Sequence, residues 1–280
     1  MRNTRYLIAL DLDGTLLTKN KTISHTTKKT IQKLMNQGHI VVIATGRPHR
    51  ASIMYYKELG LQTPMVNFNG AFIHHPYDNN WDAVHSPLPN RTAKEIIQSC
   101  YKLEVDNILA EIQDDIYLDQ YDESIIQFFT NPEESEQITI GSLKNNLKGD
   151  PTSLMIQPKE GKVDSIREYL DKHHASIIEH RKWGVPWDVI EIVKKGVNKA
   201  TGLEKVAHYF NIPAANIIAF GDEDNDLEMI EYAGIGVAMG NAIDELKEKA
   251  THVTSSNDED GIGKFLEAYF NEKIQHTFTN

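Results

Sequence analysis

The chain has a single cysteine in 280 residues, Cys100, so no intrachain disulfide can form and a reducing, cytoplasmic setting fits. It also lacks any apolar run near the roughly 18 residues that a membrane span needs. The longest runs, such as residues 40–44 (IVVIA), are strand-sized. The first five residues are basic, but the apolar stretch after them breaks at Asp11, so it reads as a buried strand and not a secretory signal. Positive charge is scarce. The 29 Lys and Arg stand against 40 Asp and Glu, a net charge of −11, which argues against nucleic acid or an anionic membrane as the main partner. The same surplus counts against an anionic substrate, unless a bound cation reverses the local field. No Gly-x-Gly-x-x-Gly follows the first strand, so the dinucleotide-binding fingerprint is missing. Internal repeats and low-complexity tracts are missing too.

What is present begins with short aliphatic runs at residues 6–10, 40–44, 64–68, 216–220 and 235–238. Each is apolar on consecutive positions, so each needs cover on both faces, as in a parallel sheet between helices. Helical patterns alternate with them. Residues 26–37 place Ile31, Leu34 and Met35 on one stripe before Gly38, and residues 199–210 do the same with Leu203, Val206 and Phe210 after Asn198. The expectation is an α/β fold, a doubly wound parallel sheet of Rossmann type. The middle differs. Helical and strand-like runs come there with strands in adjacent pairs, which predicts an α+β domain inserted at 84–188, leaving 1–83 and 189–280 as the core. Residues 86–89 and 183–187 are expected to be the hinges.

Two acid clusters carry the chemistry. Asp11-Leu12-Asp13-Gly14-Thr15 follows the first strand, and Gly221-Asp222-Glu223-Asp224-Asn225-Asp226 follows the fourth. Both therefore lie at the carboxyl edge of one parallel sheet, where ligands bind in open α/β folds. Four ionised carboxylates there repel one another, and a hard divalent cation such as Mg2+ relieves the repulsion. The bland alternative, acids favoured at a helix N-terminus by its dipole, accounts for about two of them. Thr45-Gly46-Arg47 after the second strand offers a hydroxyl and backbone N–H groups at an expected helix start for a phosphate. Lys199 opens a helix, where its charge opposes the dipole, and that placement invites a functional reason. His74 and His75 are adjacent in an extended segment and so point to opposite faces, which disfavours a shared metal. His173, His174, Asp114, Asp115, Glu133 and Glu134 read as solvated termini and loops.

In this order, the motifs resemble the haloacid dehalogenase superfamily, and within it the Cof-type phosphatases with a large C2-type cap. The resemblance spans the chain and includes Asn69-Gly70 after the third strand. It implies a phosphoric monoester hydrolase that works through an aspartyl-phosphate. Asp11 is then the nucleophile and Asp13 the general acid/base. Mg2+ is held by the Asp11 carboxylate, the Asp13 carbonyl and Asp222, with Asp226 behind them. Phosphoryl oxygens are bound by the Leu12 N–H, Thr45, Gly46 and Asn225, and Lys199 neutralises charge on the phosphoryl group and on Asp11. The implied substrate is a small phosphorylated metabolite: a sugar phosphate, flavin mononucleotide or a phosphorylated ribityl precursor of riboflavin. The cap is expected to close over the site and select it, with Tyr117, Tyr121, His180, Arg181, Trp183 and Trp187 as readers of the leaving group. A mutase or phosphotransferase on the same scaffold, or a phosphometabolite sensor without turnover, is the alternative. The sequence leaves the oligomeric state open.

Overall fold

The computed structural model describes residues 4–129, 137–183 and 188–278. The chain divides into two compact units, one formed by Met1–Gly46, Ile53–Ala83 and Asn198–Asn280, the other by Arg47–Ser52 and Val84–Val197.

The first unit is built on a five-stranded parallel sheet in the order His252–Val253, Ile235–Ala238, Ile217–Gly221, Leu7–Leu10, Ile40–Ile43. Apart from the short, exposed strand His252–Val253, every residue of these strands is buried, as expected of runs without polar alternation. The third aliphatic run forms Met65–Asn67, which extends the sheet through a single parallel bridge between Ala44 and Val66 and then pairs antiparallel with Phe72–His74. Helix His25–Asn36 is N-capped by Ser24, whose hydroxyl accepts the Thr27 N–H at 3.1 Å, and it buries Ile31 and Leu34. It packs with the C-terminal helix Gly261–Phe278, to which the Thr30 hydroxyl donates at Glu267 Oε1, 2.9 Å away. Strand order turns at Leu7–Leu10, which lies between Ile40–Ile43 and Ile217–Gly221. A switch point of this kind opens a crevice at the carboxyl ends of the strands, where Asp11, Thr45 and Asp222 follow.

The second unit carries a six-stranded sheet in the order Ile178–Lys182, Ile190–Lys194, Ser153–Pro158, Val105–Ile112, Asp115–Leu118, Ile138–Ile140. All pairings are antiparallel except the last. One face is covered by Asn90–Cys100, Leu143–Asn146 and Val163–His174 over a core that includes Ile97, Ile108, Leu154, Ile166 and Ile192. The other face holds a smaller cluster of Leu109, Ile116, Leu118, Ile125, Met155 and Val189. Two details depart from the sequence expectation. Ile190–Lys194, assigned to the core side of a boundary at 189, hydrogen-bonds between two strands of this second sheet, so the unit runs to Val197. The six residues Arg47–Ser52 also belong here, although the chain on either side lies in the first unit. Among the described residues, no helix is long and apolar enough to cross a membrane.

Candidate active site

Asp11 is the first residue beyond Leu7–Leu10, and its N–H still donates to the Phe220 carbonyl at 3.2 Å, so the neighbouring strand fixes its backbone. The chain then turns tightly. Leu16 N–H returns to the Asp11 carbonyl at 3.2 Å and Leu17 N–H to the Leu12 carbonyl at 2.9 Å. Gly14 makes this possible at φ +74°, and a Cβ there would lie 2.0 Å from Asp222 Oδ2. The turn thus demands glycine twice, for its dihedral and for the carboxylate it must admit.

Asp222 follows Ile217–Gly221 from the adjacent strand and accepts the Thr15 hydroxyl at 2.8 Å. Asn241 reaches the same carboxylate at 3.4 Å while donating to the Gly14 carbonyl at 2.8 Å. Asp226 is fully buried, and both its oxygens are spoken for. Oδ2 accepts the Asp222 and Glu223 N–H groups at 3.0 and 3.2 Å, and Oδ1 accepts Lys199. Lys199, 0% exposed, donates 2.7 Å bonds to both Asp11 Oδ1 and Asp226 Oδ1. It opens helix Lys199–Tyr209, and Asn198 caps that helix by accepting the Thr201 N–H at 2.9 Å. The cap residue therefore ends the extended backbone just where the lysine must turn inward.

One carboxylate oxygen from each of Asp11, Asp222 and Asp226 lies within 4.8 Å of the others, and all three residues are buried. Burial pushes the Asp11 carboxyl up to about 7 against the pull of Lys199, with Asp226 adding to the rise. Burial, then Asp11 and Asp226, pushes Asp222 up to about 8. Burial works against charge on Lys199, yet the two carboxylates hold its pKa above the ordinary lysine value. One ammonium thus faces three acids, and the remaining repulsion is what a divalent cation would remove. The donors are hard oxygens, and they fit such an ion.

Thr45 is buried, with its N–H on the Val66 carbonyl at 2.9 Å and its own carbonyl on the Asn69 N–H at 3.0 Å. Asn69, left-handed at φ 52°, accepts the Asn225 side-chain N–H at 3.0 Å. A Cβ on Gly46 would meet the Asn69 amide at 3.2 Å. Thr45, Gly46, Asn69 and Asn225 therefore form one polar wall. The helix start expected directly after Thr45 and Gly46 is displaced. A 3-10 turn begins at His49 and the α-helix only at Ile53. Asp13 is half-buried and pairs with Lys21 Nζ at 2.5 Å, and Leu12 is buried with its carbonyl accepting the Thr15 and Leu17 N–H groups.

Four neighbours escaped the sequence reading as site residues: Thr15, Lys21, Asn69 and Asn241. Thr15 and Asn69 were visible in their motifs without a role, whereas Lys21 and Asn241 carry no local signal. His74 and His75 hydrogen-bond separately, to Asn67 Oδ1 and the Gln62 carbonyl, both at 3.2 Å. Of the expected leaving-group readers, Tyr117 packs against the helix-covered core, Tyr121 is exposed and His180 pairs with Asp171 at 2.9 Å. Arg181 is half-buried. Trp183 stacks on Phe129 and donates to Glu191 at 3.1 Å, and Trp187 lies outside the described residues.

The sequence model of the haloacid dehalogenase-like hydrolases matches residues 8–266, the stretch that holds every group above. The chain belongs to this family. It is 52% identical over 270 residues to the 5-amino-6-(5-phospho-D-ribitylamino)uracil phosphatase YitU of Bacillus subtilis, covering 96% of this chain and 99% of that protein. A second Bacillus subtilis phosphatase with the same substrate name, YwtE, is 32% identical, with 93% of this chain and 96% of that protein covered. The crystal structure of TM0651 from Thermotoga maritima superposes with a TM-score of 0.80 at 30% identity, over 95% of this chain and 97% of that one. Similarity of this extent to a phosphatase of the family makes the chain a phosphatase.

Proposed function

We propose that the chain is a Mg2+-dependent phosphomonoester hydrolase that works through an aspartyl-phosphate on Asp11, with 5-amino-6-(5-phospho-D-ribitylamino)uracil as its substrate. The observation that carries the reaction is Lys199 held between Asp11 and Asp226, with Asp222 beside them. Identity to YitU over nearly the full length of both chains supports the substrate.

The Asp11 carboxylate attacks phosphorus, forming an O–P bond as the ester P–O bond breaks. Asp13, two residues on, gives its proton to the departing ribityl oxygen. It then takes a proton from the water that attacks the acyl phosphate, which breaks the Asp11 O–P bond and releases inorganic phosphate. Lys199 holds one oxygen of Asp11 and steadies the negative charge around it, while the Thr45 hydroxyl, the Gly46 and Leu12 N–H groups and Asn225 bind the phosphoryl oxygens. Asp11, Asp222 and the Asp13 carbonyl would hold the ion. Asp226 is left out of that set because Lys199 and two backbone N–H groups already occupy its oxygens. When bound, the ion supplies the positive charge that keeps Asp11 and Asp222 ionised and offsets the phosphoryl charge.

The test is release of inorganic phosphate, in Mg2+, from the ribitylaminouracil phosphate and from sugar phosphates, flavin mononucleotide and pyridoxal phosphate. The expected kcat/KM is higher for the first by at least about tenfold. Equal turnover of the others would remove the substrate assignment, and a requirement for a bisphosphate activator would turn the reading to a mutase. Asp11→Asn should abolish release with the circular dichroism spectrum unchanged, and retained turnover would remove the nucleophile.

A further inference from the structure

The turn that carries Asp13 runs directly into a short hairpin. Leu17 and Ile23, both buried, face each other across an antiparallel bridge, and the Thr18 N–H donates to the Thr22 carbonyl at 2.9 Å. Lys19, Asn20 and Lys21 close the hairpin, and the Lys21 N–H returns to the Thr18 carbonyl at 2.9 Å. Lys21 is left-handed at φ +57°. The last position of such a three-residue loop favours glycine, and asparagine also adopts it more readily than lysine. A lysine there calls for a use of its side chain.

The backbone of the hairpin is tied down within the first unit. The Tyr55 hydroxyl donates to the Lys21 carbonyl at 3.1 Å, the Asn257 side-chain N–H to the Leu17 carbonyl at 2.8 Å, and the Lys19 N–H to Asp258 Oδ1 at 2.9 Å. From this anchored backbone Lys21 Nζ reaches Asp13 Oδ1 at 2.5 Å. The two side chains are 57% and 43% exposed, and an ion pair so open to water adds little to folding. What it restricts is direction. An aspartate side chain in contact with water turns among staggered rotamers, and a charged donor on one oxygen favours one of them.

We infer that Lys21 is a positioning residue for proton transfer: its ammonium holds the Asp13 carboxyl in the direction from which that group protonates the departing ester oxygen. This rests on reading Asp13 as the general acid. In that step the Asp11 O–P bond forms as the ester P–O bond breaks, and the Asp13 proton passes to the oxygen that leaves. Lys21 itself touches no reacting atom and gives up no proton.

Esters with good leaving groups need little help from an acid, whereas esters with poor ones depend on it. The test is therefore kcat/KM in Mg2+ for a series of aryl phosphates running from p-nitrophenyl to p-methoxyphenyl phosphate. Lys21→Met removes the ammonium and keeps a side chain at φ +57°, Lys21→Gly removes it and eases that conformation, and Lys21→Arg keeps a charged donor. The Met and Gly variants should lose about tenfold on p-methoxyphenyl phosphate and stay within about threefold of wild type on p-nitrophenyl phosphate. Lys21→Arg should stay within about threefold on both. A lysine that only attracts the phosphate dianion would cost every ester the same factor, and one that only shapes the turn would leave Lys21→Gly at wild-type values. Either result overturns the inference. Asp13→Asn is measured beside them. If it lowers every ester equally, the general-acid reading has failed and the inference goes with it. If it makes the series steeper and neither Lys21→Met nor Lys21→Gly does, the positioning role alone has failed.

Discussion

Consider the enzyme in EDTA as the pH is lowered from about 7.5 to about 5, compared with Asp222→Asn under the same conditions. In the folded chain the Asp222 carboxyl sits at about 8 against an ordinary 3.8, chiefly through burial and then through Asp11 and Asp226. A raised carboxyl pKa means that the folded chain keeps a proton the unfolded chain has lost. Its contribution is therefore fully present below the unfolded value and disappears as the pH rises through the folded one. Each pH unit within that window is worth about 1.4 kcal/mol for one proton, so wild type should gain about 3 kcal/mol on the variant across this range. The comparison with Asp222→Asn is essential because other groups titrate in the same window. Burial holds His39, His85 and His174 below their ordinary 6.5, which costs both proteins stability as the pH falls. Scanning calorimetry in EDTA should show the melting temperature of wild type approaching or overtaking that of Asp222→Asn at low pH. The expected change in their difference is roughly 6–12 °C for a chain of this size. Saturating Mg2+ should raise wild type at pH 7.5 and leave the variant nearly where it was. A wild-type-to-variant difference that stays constant between pH 5 and 7.5 in EDTA would refute the account, because Asp222 would then be an ordinary carboxylate.

Lys199→Met should leave Asp11 and Asp226 facing each other without a cation. Urea denaturation at pH 7 should then show a loss of about 3–5 kcal/mol together with loss of turnover; unchanged stability would mean that the lysine does not balance the acids. Gly14→Ala places a methyl group 2.0 Å from Asp222 Oδ2 at a backbone φ of +74°. The strain alone should cost about 1–3 kcal/mol, and the displaced carboxylate should weaken the Mg2+-dependent rise in melting temperature. A wild-type Mg2+ titration curve for this variant would show that Asp222 does not need the space.

The sheet at the centre of the first unit was legible because burial on both faces writes itself as consecutive apolar residues, and Leu7–Leu10, Ile40–Ile43 and Ile217–Gly221 formed where those runs lay. The edge strand His252–Val253 has neither length nor burial and left no such mark. Ile190–Lys194 was visible as a strand, but its sheet was not. A run such as VIEIV fits a strand of either unit, and its partner is chosen by Glu191 and Ile192 pairing with Met155 and Leu154 far earlier in the chain. Arg50 is the extreme case. A polar side chain in a short connection reads as solvent-facing, and its burial depends on Glu111, 61 residues away.

The acids separate these two kinds of information most sharply. As a set they were readable, since two clusters after two strands of one parallel sheet must meet at its carboxyl edge. Their division of labour came only from the family resemblance and not from the residues themselves, because Asp11, Asp222 and Asp226 are the same residue type and differ in what donates to them. Lys199 lies 188 residues from Asp11 and 27 from Asp226, and it bonds both at 2.7 Å. Two backbone N–H groups fill the remaining acceptor of Asp226, whereas among the described residues Asp222 accepts the Thr15 hydroxyl and a long contact from Asn241. A carboxylate surrounded by donors is already neutralised and gains little from an added cation. One that is buried with few donors is driven to about 8 and gains the most. That difference in unmet charge, rather than position in the motif, is what would give Asp222 the most to gain from a cation, while Asp226 already accepts the lysine.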